Sequence, residues 1–371
     1  MTFDWSTSYR GSKTWLPQRT LFLTLHGSHA YGTNIETSDI DIKGVAVAPV
    51  DHYLGFHTSF EQAEQREPVD LVIFEISKFM KLASACNPNV IEILFTDPKH
   101  HLVVHPVMQR LLASKEDFLS RQAYFRFVNY AMDQLRRIET HRRWLLEPPK
   151  AIPARVDFGL PSSGFIIPKN QLDAVFAAIR KQLDTWAWKD LDGLDPVDRL
   201  IVKAAFEDRL VDIVKWHYGD LGDKLWNSAA KNLGFDTNFI ELLDKERRYK
   251  AAMDNWDQYQ TWLKKRNPVR AALEAQAGFD TKHGLHLVRL MRMGREILTE
   301  GKVLVYRPDA AELLDIRRGS WSFDYLKAWA EEEKIALKEA MEKSLLPKEA
   351  NIVALDRLCV ELVSEFCGFP Y

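Results

Sequence analysis

Cysteine is scarce. The 371 residues hold three, Cys86, Cys359 and Cys367, none in a C-x-x-C pair. That excludes a disulfide framework and leaves each as a small buried apolar residue. No apolar run is long enough to cross a bilayer, and the opening MTFDWSTSYR does not resemble a signal peptide, so a cytoplasmic location is expected. Surplus positive charge is missing too. The net charge of -2 excludes a protein that coats long nucleic acid, whose phosphate contacts need many Lys and Arg. Short RNA ends stay open, because basic residues cluster locally. Eleven histidines include no H-E-x-x-H, and within the expected helices only His283 and His286 stand at close helical spacing, so zinc is not expected. Repeats and low-complexity tracts are absent. What remains, 46% hydrophobic and 27% charged, is ordinary globular composition with room for two domains.

The N-terminal third reads as a mixed sheet with few helices. RTLFLTLH (19–26) is β-rich and leads into a glycine-bearing loop, GSHAYGTNIETS. In DIDIKGVAVAP (39–49), Asp39, Asp41 and Lys43 alternate with Ile40, Ile42 and Gly44, the period of a strand with one polar face. VDLVIFEI (69–76) is a further strand, Ser77 an N-cap for the helix KFMKLASAC, and Asn87-Pro88 a break before a strand in NVIEILF.

From Glu116 the periodicity becomes helical and runs to about residue 146. A Pro/Gly-rich loop (147–170) follows, then helices over 171–265 interrupted at GLDP and GDLGDK. KHGLHLVRLMRMGREILTEG is a strong helix closed by Gly301, and the tail is helical. The expected fold class is α+β, with a sheet-containing domain over 1–112 and a larger helical domain over 113–371.

Chemistry concentrates at Gly27-Ser28, followed after ten residues by Asp39-Ile40-Asp41. Aspartates at i and i+2 on a strand share a face and can reach one metal pair. Gly27 lets the backbone approach a phosphate, and Ser28 offers a hydroxyl and an amide. Alone, D-x-D is a common pattern on a solvated strand edge; joined to the strand, the Gly-Ser and the gap, it is far less accidental.

The G-S and D-x-D pattern resembles that of the polymerase-β-type nucleotidyltransferases, and the resemblance implies a third acid, usually an aspartate, on a neighbouring strand. Asp70 and Glu75 are the alternatives, of opposite strand parity, with Asp70 preferred and Glu75 in reserve; Glu92 is more distant. In the basic helix, Lys282, His286 and Arg289 share a face, with Arg292 close by, a row suited to the phosphates of a triphosphate or to a nucleic-acid backbone. A solvated basic face is the ordinary explanation of such a row. Arg136, Arg137, Arg142 and Arg143 near Tyr124, Phe125, Phe127 and Tyr130 read better as an amphipathic helix than as an RNA platform. Arg317, Arg318 and Trp321 stand as a mouth to the site, and Tyr31 and Asn34 as loop residues near a nucleotide.

The resemblance narrows further. HGSHAYGTNIETSDIDIKGVAVAP, NPNVIEILF, KHGLHLVRLMRMGREIL and LLDIRRGSWS together resemble the RlaP family (RNA-ligase-associated, YcgL-like). The resemblance implies attack of a hydroxyl on the α-phosphate of an NTP, foremost ATP, with Mg2+ or Mn2+ held by Asp39, Asp41 and the third acid, and loss of pyrophosphate. It implies nucleotide contacts from Gly27, Ser28, Tyr31, Lys282, His286, Arg289 and Arg292, in a cleft between the two domains. An RNA or tRNA end is the expected acceptor. A protein acceptor, as in antitoxin-like nucleotidyltransferases, is the first alternative, and a non-catalytic nucleotide-binding module the second.

Overall fold

The computed structural model describes residues 5–162, 167–188, 220–266 and 268–368. Five strands form one mixed sheet: β1 (Thr20–His26), β2 (Asp41–Ala46), β3 (Gln62–Gln65), β4 (Asp70–Glu75) and β5 (His101–Val104), in the order β3-β4-β2-β1-β5. β2 and β4 run parallel, and the other pairings are antiparallel. The parallel pair needs a crossover, which the chain between residues 47 and 69 supplies.

The helices are α1 (Trp5–Ser8), α2 (Gly27–Tyr31), α3 (Asp51–Leu54), α4 (Ile76–Ser84), α5 (Pro88–Leu94), α6 (Pro106–Ala113), α7 (Gln122–Leu146), α8 (Lys169–Trp188), α9 (Asp220–Asn232), α10 (Thr237–Lys265), α11 (Pro268–Ala277), α12 (Thr281–Glu300), α13 (Ala310–Arg317), α14 (Phe323–Lys343) and α15 (Ile352–Cys367). Among the described residues, no helix is long and apolar enough to cross a membrane.

Side-chain alternation gives the sheet two unlike faces. One carries Leu23, Ile42, Ala46, Leu71 and Ile73, packed with Trp5, Leu16, Phe60 and Ala63 into an apolar core. The other carries Thr24, His26, Asp41, Lys43 and Asp70, which the strand register places together.

The chain divides into two compact units. Residues 1–142 and 272–371 form the first, and 143–271 the second. The first unit therefore takes in helices on both sides of residue 112, including α12, which packs on α13 and α14. α12 is buried nearly all round, through Leu285, Leu287, Val288, Met291 and Ile297, and ends at Gly301 with φ of 65°, the left-handed conformation expected of its closing glycine. The second unit has its own core of Leu172, Phe176, Ile179, Trp226, Ile240 and Leu243. Arg155 is paired there with buried Glu246 at 2.6 Å.

Several local expectations change. The stretch after β1 is a helical turn over Gly27–Tyr31, not an open loop, and Gly32 caps it at φ of 72°. The D-x-D strand begins at Asp41, so Asp39 precedes it. NVIEILF is helical within α5: the Asn87 side chain accepts from the Asn89 amide and Pro88 takes the first turn, so Asn87-Pro88 starts a helix instead of merely ending one. The cap of α4 is Glu75, which accepts from the Lys78 amide, not Ser77. GDLGDK runs into α9 and does not break the chain there, whereas GLDP lies outside the described residues.

Candidate active site

β1 ends at His26, paired with Asp41 in register, and the chain turns at once into α2. Gly27 sits at φ of 60°, and a Cβ there would lie 2.0 Å from Asp41 Oδ2. Only glycine lets the turn press against that carboxylate. Ser28 follows in the first turn of α2, and its carbonyl accepts from the Thr33 amide at 2.9 Å.

Across the sheet, Asp41 is the register partner of Asp70 on the parallel strand β4. Burial, Asp70 and Asp39 together push the Asp41 carboxyl above its ordinary value, against the opposing pull of Lys43 and Lys282. Asp39, Asp41, Asp70 and Lys282 are thus gathered within electrostatic reach, Asp39 and Asp70 exposed and Asp41 half-buried. Lys282, far away in sequence, arrives on the first turn of α12.

Glu75 does not join this group. It lies at the other end of β4, where its carboxylate caps α4 and accepts from the Tyr53 hydroxyl at 2.7 Å. Its register partner is Ala46, on the apolar face of the sheet.

Beneath the carboxylates lies a buried polar cluster. Glu92, 1% exposed, accepts from the Tyr31 hydroxyl and from Arg289 Nη1, each at 2.6 Å. The Arg289 guanidinium stacks 3.8 Å over the Tyr31 ring, and His26 Nε2 lies 3.6 Å from Glu92. Burial, Lys43 and Arg289 hold the His26 imidazole well below its usual range, so it is neutral. Lys43 Nζ donates to the Asn89 carbonyl at 3.1 Å.

The structure places the expected nucleotide contacts Tyr31 and Arg289 in the interior, both 3% exposed, with the Tyr31 hydroxyl and Arg289 Nη1 donating to Glu92. Arg292 pairs with Asp309 at 2.6 Å and Glu312 at 2.8 Å. His286 lies half-buried between Lys282 and Arg289.

Tyr124, Phe125 and Phe127 are buried, as an amphipathic helix requires, and Arg142 donates to the Gly278 carbonyl at 2.7 Å. Trp321 meets Tyr325 and Trp329 edge-to-face, and Arg318 pairs with Asp315. Asn34 is exposed. Two participants went unremarked as functional groups in the sequence, His26 and Lys43. Lys43, two residues after Asp41 on the same strand face, was legible from the period; His26 needed the β1–β2 register.

A mixed sheet that sets a D-x-D aspartate beside a third carboxylate, behind a tight Gly-Ser turn, is similar in arrangement to the nucleotidyltransferases of the DNA polymerase β superfamily. Residues 9–146 match the family RlaP, described as the RNA repair pathway DNA polymerase beta family, which bears out the resemblance read from the motifs. The α12 helix and LLDIRRGSWS, which also carried that resemblance, lie outside the matched residues. No curated protein and no solved structure matches the chain.

Polymerase-β-type nucleotidyltransferases generally use divalent metals. Three carboxylates that raise the proton affinity of the most buried one suit a hard dication, which removes their mutual repulsion.

Proposed function

We propose that the protein is a metal-dependent nucleotidyltransferase that moves an NMP, AMP foremost, from an NTP to a hydroxyl on an RNA end. The observation that carries this reading is the register pairing of Asp41 with Asp70, alongside Asp39 and pressed by Gly27.

In this reading Asp39, Asp41 and Asp70 hold Mg2+ or Mn2+. When bound, the metal neutralises charge on the triphosphate and on the departing pyrophosphate. Gly27 and Ser28 bring backbone and hydroxyl to the phosphates, and Lys282 supplies a point charge for them. The acceptor oxygen bonds to the α-phosphorus while the α–β phosphoanhydride breaks and pyrophosphate leaves. Asp70, exposed at the start of its strand, takes the proton of the acceptor hydroxyl. His26, neutral and buried beside Asp41 on the neighbouring strand, carries no charge into the site.

The RNA acceptor is supported by the family's place in RNA repair. Incubation with each α-labelled NTP, Mg2+ and total cellular RNA or protein tests it. Label on RNA supports the acceptor proposed here. Label on a discrete protein band overturns the acceptor and keeps the chemistry, and no label with either metal overturns both.

A further inference from the structure

A second constellation stands apart from the carboxylate row, in the same compact unit. His141 near the end of α7, Asp280 at the N-cap of α12 and His283 in its first turn each offer one ligand atom, all within 4.8 Å of one another. We propose that these three side chains form a site for a transition-metal dication of the zinc class.

The spacing supports a metal between the groups. Asp280 Oδ2 lies 3.8 Å from His141 Nδ1 and 3.5 Å from His283 Nε2. Neither separation is a hydrogen bond, which needs roughly 2.7–3.2 Å. Ligand atoms about 2.0–2.1 Å from a tetrahedral centre stand about 3.4 Å apart, so only small side-chain adjustments bring the trio into coordination. Two imidazoles with one carboxylate favour zinc-like ions over magnesium, whose preferred ligands are oxygens.

The surrounding bonds orient each ligand. His283 Nδ1 faces Gln134 Oε1 at 2.7 Å, so Nδ1 carries the proton and Nε2 presents its lone pair toward Asp280. Asp280 Oδ1 accepts from the amides of Lys282 and His283 at 3.1 and 3.2 Å, which turns Oδ2 toward the two rings. Gln134 and His141, seven residues apart, rise from one face of α7. Asp280 is 3% exposed and each histidine 18%, leaving a fourth position that water can reach.

Such an ion would pin α7 to the first turn of α12, the turn that carries Lys282 to the carboxylates. The site does not depend on nucleotidyl transfer taking place. Sequence spacing had pointed away from zinc because it tests ligands on one helix, and these come from two helices and a cap.

Titration of metal-stripped full-length protein with Co2+, followed by Zn2+ competition and calorimetry, tests the proposal. We expect one equivalent to bind in the presence of excess Mg2+, which occupies the carboxylate row, with the visible ligand-field absorption of four-coordinate cobalt, displaced by Zn2+. His141→Ala and His283→Ala should each weaken Zn2+ at least 100-fold. Gln134→Ala, which leaves every ligand in place, should weaken it roughly 10- to 100-fold, and Asp41→Asn should bind as wild type does. Circular dichroism checks each variant's fold. Absence of stoichiometric binding by the wild type overturns the proposal. So does wild-type affinity in a folded His141 or His283 variant, or loss of the signal in Asp41→Asn.

Discussion

Asp41 and Asp70 occupy partnered positions at the start of neighbouring parallel strands, so one carboxylate stands beside the other at the same end of the sheet. The pairing has a thermodynamic signature. Burial and the two neighbouring aspartates raise the Asp41 carboxyl above the ordinary aspartate range in the native state. The native protein therefore keeps that proton to higher pH than the unfolded chain does. Stability falls as pH rises from the ordinary Asp range through the raised value, and the penalty is complete above it. In EDTA at pH 7, Asp41→Asn should melt at a higher temperature than wild type. The advantage should fade below about pH 3.9, where both states are protonated, and Mg2+ should stabilise only the wild type. A lower melting temperature for Asp41→Asn in EDTA contradicts this electrostatic account.

Gly27→Ala should damage both fold and activity, for separable reasons. An alanine at φ of 60° costs roughly 1–2 kcal/mol, a fall of a few degrees in melting temperature. Its Cβ, 2.0 Å from Asp41 Oδ2, must also displace that carboxylate. Misplacement of about 1 Å can cost about 100-fold, so nucleotidyl transfer measured well below the melting temperature should drop by at least that factor.

Glu92 is predicted to be structural. Its removal leaves the buried Arg289 guanidinium without its counter-charge, a loss of roughly 3–5 kcal/mol. Denaturant unfolding of Glu92→Ala should show that loss, and Glu92→Ala with Arg289→Met should recover more than half of it. Equal destabilisation of the single and double variants would show that the ion pair is not the source.

Lys282 is predicted to act on the nucleotide. Lys282→Ala should raise the KM for NTP roughly 10- to 100-fold, from a charge-assisted contact of about 1.5–3 kcal/mol, measured at a temperature where the variant is folded. A shifted midpoint with unchanged KM would assign the lysine to packing instead.

Much of this was legible in the chain. Alternating polar and apolar residues revealed β2 and its carboxylate face, and Gly301 marked the end of α12 as read. The apolar run at NVIEILF was not legible, because so short a run fits a strand or a buried helix equally well, and the Asn-Pro cap decided for α5. Asp70 and Glu75 differed by parity alone until the β2–β4 register separated them. The row Lys282, His286, Arg289 showed a shared face but not its depth: its first residue reaches the carboxylates, while Arg289 sinks into the Glu92 cluster. Ligands drawn from separate helices, such as His141 and Asp280, have no linear signature.

The most direct test of the central claim measures metal-dependent transfer from α-labelled ATP by wild type, Asp39→Asn, Asp41→Asn and Asp70→Asn, each verified as folded. The account predicts labelled RNA with wild type, dependent on Mg2+ or Mn2+. Each variant should fall about 100- to 10,000-fold, the range expected when several kcal/mol of metal-borne stabilisation is lost. Transfer retained by the folded Asp39 and Asp41 variants would contradict it.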